Sequence, residues 1–356
     1  MKLKNIKFIL IIITILGSIF FRNDLIKGSS VNKNEITDQN GILLDIARCP
    51  LSKQEIEKVI NQIDSKKFSY VILHLNDDEH VAFQAKILKN KGSKNVLSKK
   101  DLKEITKDAN QHGLTLIPDF DTPGHCKALI KLLKKHNPKL AREICLNSNT
   151  LNYTKSATIK FIKQINNELS SACANQNTRY ILLGGDEVAA NENNNHALIK
   201  YFNELNAFEN RYDFQTIIWN DSILKNNNLN NKIVVAYWAQ GGGNTSKKIL
   251  QKEYDNRANV TNLIDHPLIN ANAGYNYFNL DNLGNLDYIT NFINQLNSST
   301  ERNFDLINPQ TLTNDPDCYQ GKVKSNGRLI CLWGDKNSKI KINQLLYLIK
   351  KINTMQ

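Results

Sequence analysis

The sequence predicts an α/β fold, a single (β/α)8 TIM barrel, and three observations carry that reading. Short apolar runs recur along the chain, and most of them run straight into a polar cluster. Stretches with helical period or helix-start signals separate most of these runs. Acidic and aromatic residues gather just past the apolar runs, at the rim where barrel enzymes place their chemistry. At 356 residues and 41% hydrophobic content the chain can bury a large core. No break in composition marks a second domain, so the barrel is expected over residues 41–356.

Residues 1–30 stand apart. Lys2, Lys4 and Lys7 precede an apolar run from Phe8 to Phe21, short of the roughly 20 residues that a spanning helix needs. The segment reads as a signal peptide, or as an uncleaved N-terminal anchor, and implies an exported protein, secreted or periplasmic. Residues 31–40 read as a linker. The first strand is 41–45. A helix follows, with Ser52 and Glu55 at capping-box spacing and Ile56, Val59, Ile60 and Ile63 on one face. Strands at 70–75 and 114–120 flank a helix over 100–112. Helices over 126–135 and 156–172 lead to the fourth strand, where Ile181, Leu182 and Leu183 end at Gly184-Gly185-Asp186-Glu187. Strands five and six are 216–219 and 233–238, reached through Asn-rich stretches at 192–195 and 226–231 that read as solvated connections. A helix over 246–254 precedes strand seven, placed at 259–263 or 268–270. Strand eight is 328–333, and a helix over 340–352 closes the chain.

The formal net charge is +12. Residues 1–30 hold five of the cations against one acid, so the remainder carries +8. Such a body suits anionic surfaces, but no nucleic-acid motif occurs in its structural context, and no nucleic-acid partner is expected. The six cysteines show no metal spacing. Cys318 and Cys331 are the pair nearest in sequence, and disulfides and buried free thiols both remain open.

The strand ends collect Asp45, Arg48, His74, Asp77, Asp78, Asp121, His125, Asp186, Glu187, Trp219, Asp221, Trp238, Trp333 and Asp335. All three tryptophans of the chain are among them. Flat aromatic walls with carboxylates and an arginine nearby suit a carbohydrate pocket. A metal site built from His74, Asp78, Asp121 and His125 is the competing reading, but the ligand spacings of barrel metallohydrolases are absent, and no metal or other cofactor is expected. His74 reads equally as a satisfied core histidine and as a site residue.

The motifs Asp45-x-x-Arg48, His74-Leu75-x-Asp77-Asp78, Asp121-x-Pro123-Gly124-His125, Gly184-Gly185-Asp186-Glu187, Trp219-Asn220-Asp221 and Tyr237-Trp238 follow one another over about residues 41–353. In that order they resemble the family 20 glycoside hydrolases, the β-N-acetylhexosaminidases. The resemblance implies a retaining, substrate-assisted mechanism, in which the substrate's 2-acetamido oxygen forms an oxazolinium intermediate. It makes Glu187 the general acid/base, in apolar surroundings that raise its pKa, and Asp186 the residue that orients the acetamide. A tyrosine after strand seven should hydrogen-bond the acetamide oxygen; Tyr275 is the first choice and Tyr277 the second. Arg48 and Asp335 are expected to bind sugar hydroxyls, and Trp219, Trp238 and Trp333 to wall the pocket. Asp78, Asp121 and His125 are expected to support the catalytic pair from behind. The implied partner is an oligo- or polysaccharide containing N-acetylglucosamine, with poly-β-1,6-N-acetylglucosamine favoured and β-1,4-linked oligomers or an inactive sugar-binding barrel as alternatives. No membrane contact is expected beyond the N-terminal segment. The loop after Trp238 carries no acidic residue, and a basic body suits a partly deacetylated, cationic polymer poorly.

Overall fold

A computed structural model describes residues 36–355 except 93–94, 189–191, 320–322, 324, 326 and 336–337. The signal or anchor reading of residues 1–30 lies outside the described residues. Among the described residues nine strands form the barrel sheet; the chain runs first through β1 (Gly41–Asp45), α1 (Lys53–Gln62), β2 (Tyr70–His74), α2 (Lys99–Gln111), β3 (Thr115–Asp119), α3 (Lys127–His136), α4 (Pro138–Ile144), α5 (Ser156–Cys173), β4 (Tyr180–Leu182), α6 (Glu192–Glu209), β5 (Gln215–Trp219), β6 (Val234–Tyr237), α7 (Lys247–Asn256) and β7 (Leu268–Asn270). Then come α8 (Ala273–Asn276), β8 (Tyr277–Asn279), α9 (Leu286–Ser298), the hairpin β9 (Phe304–Ile307) and β10 (Asn314–Tyr319), β11 (Leu329–Trp333) and α10 (Ile342–Ile352).

The sheet is a curled parallel one in the order β7-β6-β5-β4-β3-β2-β1-β11-β8. An isolated parallel bridge, Asn270 to Arg328, joins β7 to the start of β11, and β8 pairs with the far end of β11, Cys331–Trp333. Alternation along each strand separates two cores. Leu43, Ile72, Ile117, Leu182, Ile217, Val234, Ile269 and Leu329 fill the barrel interior, while their sequence neighbours pack outward against the helices. Burial on both faces is why the strands read as continuous apolar runs.

The helix-start signal at α1 is real: Ser52 and Glu55 form the reciprocal capping box. Strand seven is 268–270, and 260–263 is a 3-10 turn. Residues 192–195, read as a solvated connection, instead open α6, where the buried Asn195 amide donates to Ser222 O at 3.0 Å. Residues 31–40 are not linker throughout. Ile36–Asp38 forms a 3-10 turn whose Ile36 is buried with the barrel-interior cluster, so the fold begins before Gly41. The six cysteines are all free, and Cys331 is buried inside the barrel. Among the described residues no helix is long and apolar enough to cross a membrane.

Two excursions leave the carboxyl ends of neighbouring strands. The β2–α2 connection includes a 3-10 turn, Lys86–Leu88, and the β3–α5 connection contains α3 and α4.

Candidate active site

Strand register assembles the charged floor of the site. Asp45, His74 and Asp119 are register partners across β1, β2 and β3, each two residues beyond an inward-facing Leu43, Ile72 or Ile117. Period two therefore turns all three into the barrel. His74 lies between carboxylates, with Nδ1 2.5 Å from Asp119 Oδ2 and Nε2 3.0 Å from Asp77 Oδ2. Burial favours the neutral ring, but Asp119 and Asp77 outweigh it and hold the pKa well above the usual histidine value. His74 is thus a charged strut inside the barrel. Arg48 completes the network through Asp45 (Nη1 to Oδ2, 3.0 Å) and Asp77 (Nη2 to Oδ2, 2.5 Å), with its guanidinium 5.5 Å from the Trp333 ring centroid.

Asp186 and Glu187 sit on a turn that two glycines shape. Gly184 and Gly185 have φ of +95° and +105°, and Glu187 itself takes the left-handed region at +49°, a costly conformation for a side-chain-bearing residue. Hydrogen bonds hold it there. Glu187 N donates to Asp221 Oδ2 at 2.8 Å, Gly185 N donates to Asp121 Oδ1 at 3.2 Å, and Ser222 Oγ donates to Gly185 O. Asp121 is fully buried beside Asp186. Burial and the Asp186 charge push the Asp121 carboxyl well above the ordinary range. Among the described residues neither Asp121 Oδ2 nor Asp186 Oδ1 has a hydrogen-bond partner.

His125 stands between the two groups of acids. Its Nε2 is 3.2 Å from Glu187 Oε2 and 3.7 Å from Asp186 Oδ2, and its Nδ1 is 3.9 Å from both Asp77 Oδ1 and Asp78 Oδ2. Burial would lower its pKa, but the charge of Asp186 and the nearby Glu187 carboxylate raise it to about 9. A histidine raised in the folded state contributes stability that is complete below the unfolded value of about 6.5 and is lost as pH rises through 9. Denaturant unfolding at pH 6, 7.5 and 9.5 is expected to show this loss, and His125→Asn should flatten the slope across that window. Parallel curves for the two proteins would contradict the assignment.

Glu187 departs from expectation in one respect. Its side chain is half-exposed, at 51%, and His125 rather than an apolar pocket is its immediate neighbour. The left-handed turn lifts it out of the strand end toward solvent.

Beside the pair stands an aromatic box. Trp238 stacks on Tyr277 at 6.1 Å with an interplanar angle of 11°, Tyr277 meets Trp333 at 5.9 Å, and Trp219 lies 6.1 Å from Trp333. Asp221, collected at its strand end without a role, fixes one wall: its Oδ1 accepts Trp238 Nε1 at 3.0 Å. Burial and Asp186 raise its pKa to about 6 against the opposing pull of Arg257. Among the described residues the Nε1 groups of Trp219 and Trp333 are buried without hydrogen-bond partners.

Tyr275, the first choice for the acetamide tyrosine, is not in this box. The four-residue α8 turns it outward, and its hydroxyl donates to Asp317 at 2.9 Å. Tyr277 opens β8, which pairs with β11, and so faces inward. Its hydroxyl pKa is pushed well up by burial, with Cys331 and Asp186 adding to the rise. Asp335 lies exposed two residues beyond Trp333, its backbone N–H donating to Ser338 Oγ at 2.7 Å. Asp78 accepts from Lys127 N at 3.0 Å. The ligand atoms of Asp77, Asp78 and His125 lie within 4.8 Å of one another, but Arg48 and His74 already match the charge of Asp77, which makes the trio a poor cation site.

Asp119 was missed by motif reading, although its inward position follows from Ile117 by period two. The pairing of Tyr277 with β11 left no such signal, because Tyr275 and Tyr277 have the same parity.

A model of the glycosyl hydrolase family 20 catalytic domain matches residues 39–335. Among curated proteins, the human beta-hexosaminidase subunit beta is 31% identical over 172 residues, covering 45% of this chain and 30% of that one. Lacto-N-biosidase of Bifidobacterium bifidum is 22% identical over 243 residues, covering 61% and 21%. The chain spans about a third of the length of the beta-hexosaminidase subunits that it matches. Among solved structures, dispersin B superposes with a TM-score of 0.74 at 22% identity, over 88% of this chain and 97% of that one. A tandem catalytic module of the pneumococcal exo-beta-D-N-acetylglucosaminidase gives 0.68 at 16%, over 89% and 82%. At these identities the structural likeness is one of fold.

Proposed function

The chain belongs to glycosyl hydrolase family 20, and from that premise we propose that it hydrolyses β-N-acetylhexosaminides by a retaining, substrate-assisted mechanism. The observation that carries the reading is the turn that sets Asp186 and Glu187 side by side next to the aromatic box. Both carboxylates reach the same imidazole nitrogen, so they form one wall of the pocket rather than two facing walls. A nucleophile supplied by the substrate's own acetamide fits that arrangement.

In this mechanism Glu187 protonates the leaving oxygen and then takes a proton from water, with His125 steadying its charge. Asp186, beside the buried Asp121, orients the acetamide N–H and balances the positive charge that develops on it. Tyr277 donates to the acetamide oxygen. Trp219, Trp238 and Trp333 enclose the acetamide, and Arg48 and Asp335 bind ring hydroxyls. The apolar run at 8–21 favours export, with retention as an anchor the alternative. Poly-β-1,6-N-acetylglucosamine is the favoured polymer.

The test is hydrolysis of β-1,6- and β-1,4-linked N-acetylglucosamine oligomers beside an aryl N-acetyl-β-glucosaminide. Wild type should cleave the aryl substrate. Tyr277→Phe is expected to lower kcat/KM by about 100-fold, as for loss of one preorganised donor. Tyr275→Phe should stay within about twofold. Preference for β-1,4 oligomers would move the substrate toward chitin or peptidoglycan fragments. Oligosaccharide binding without any turnover would favour a sugar-binding barrel.

A further inference from the structure

The positive charge of this fold is concentrated in one sector. Residues 81–97 and 122–155 hold eleven Lys and Arg against a single acid, Glu143, a net of +10; the rest of 31–356 is left at −2. The two stretches belong to the excursions from β2 and β3, and they meet, since α3 packs against the Lys86–Leu88 turn. Leu129, Ile130 and Leu133 bury one side of α3. The other side shows solvent Lys127, Lys131, Lys134 and Lys135, at the i, i+4, i+7, i+8 spacing of one helical face. Lys139 and Arg142 of α4 are exposed as well, as are Lys86, Lys89 and Lys91. Among the described residues none of these cations is in an ion pair. Such a face repels itself in the free protein and attracts a polyanion.

The ridge begins at the pocket. Lys127 lies two residues after His125, and its N–H is the donor to Asp78. We propose that α3 and α4 form the binding track of an acidic glycan, a chain of acetamido sugars bearing carboxylate or phosphate substituents, and that the track feeds the pocket. The proposal rests on the hexosaminidase reading above and narrows the polymer to an acid-substituted form in place of the unsubstituted one. Two features favour a glycan over other polyanions. The aromatic residues of these stretches, Phe83 and Tyr153, are both buried, which leaves no platform on which bases would stack. Leu146 is their one exposed large apolar side chain among the described residues, too little to enter a bilayer.

Binding is read on Glu187→Gln protein, so it does not depend on turnover. The probes are carboxymethyl chitin and glycol chitin, which share a backbone and differ in charge. At about 50 mM salt the carboxymethyl polymer should bind at least about tenfold more tightly, and at about 500 mM the advantage should vanish. Adding Lys131→Glu, Lys134→Glu and Lys135→Glu together should abolish the preference, with thermal unfolding showing that the variant is folded. Lys139→Glu with Arg142→Glu should weaken it independently. Equal binding of the two polymers, or a preference that survives both sets of reversals, overturns the proposal. Binding of duplex DNA, or of vesicles with about 30% phosphatidylserine, as tight as that of carboxymethyl chitin also overturns it, in favour of a general polyanion surface. Failure of wild type to cleave aryl N-acetyl-β-glucosaminides counts against the hexosaminidase reading alone.

Discussion

Glu187→Gln is expected to lower kcat for an aryl N-acetyl-β-glucosaminide by about 10²–10⁴, the range for loss of a positioned general acid/base. Gln preserves the size of the side chain and its place on the left-handed turn, so KM should change little. The deficit should grow as the leaving group becomes a poorer one, because a good leaving group departs without a proton. Asp186→Asn should cost about 10²–10³ through weaker stabilisation of the charged acetamide, with less dependence on the leaving group. Leaving-group series on the two variants separate the roles. Equal slopes for both would remove the assignment of Glu187 as the acid.

Gly184→Ala should be the most disruptive single-methyl change near the site. At φ +95° an L side chain is strained, and the new Cβ would overlap the Asp121 carboxylate and come within 2.5 Å of Thr122 N. Strain and overpacking together place the cost at about 3 kcal/mol or more, a fall in Tm of roughly 4–5 °C or more for a domain of this size. Activity should fall further than stability alone explains, since moving Asp121 disturbs the adjacent Asp186. Gly284→Ala is the control. Its Cβ would meet Gln344 Nε2 at an ordinary 3.5 Å, and its effect should stay within about 0.5 kcal/mol. Matching Tm values for the two variants would refute the account.

The barrel was legible because its strands are buried on both faces and end in polar residues, a pattern that survives in one dimension. The pair Asp186-Glu187, the tryptophans and Arg48 were legible for the same reason, each lying at a strand end. The hairpin of β9 and β10 was not. Its second strand reads Asn314-Asp315-Pro316-Asp317-Cys318-Tyr319, polar and proline-bearing, and only its pairing with β9 makes it a strand. α4 was hidden because Pro138 reads as a breaker, whereas it occupies the first helical position behind the Asn137 cap. The choice between Tyr275 and Tyr277 turned on a single turn of helix, and local pattern does not register so short an element.

The pairing of β1 with β11 also has a consequence in time. Asn40 and Arg328, joined by the Arg328 N–H to Asn40 Oδ1, are 288 residues apart in sequence, and α10 packs against α1. As the chain is synthesised, the first strand must wait for nearly the last before its outer edge is covered. Until then an apolar strand edge stays open, the kind of edge that pairs with other chains. Non-local closure of this sort slows folding, so the growing polypeptide depends on whatever shields that edge before β11 arrives.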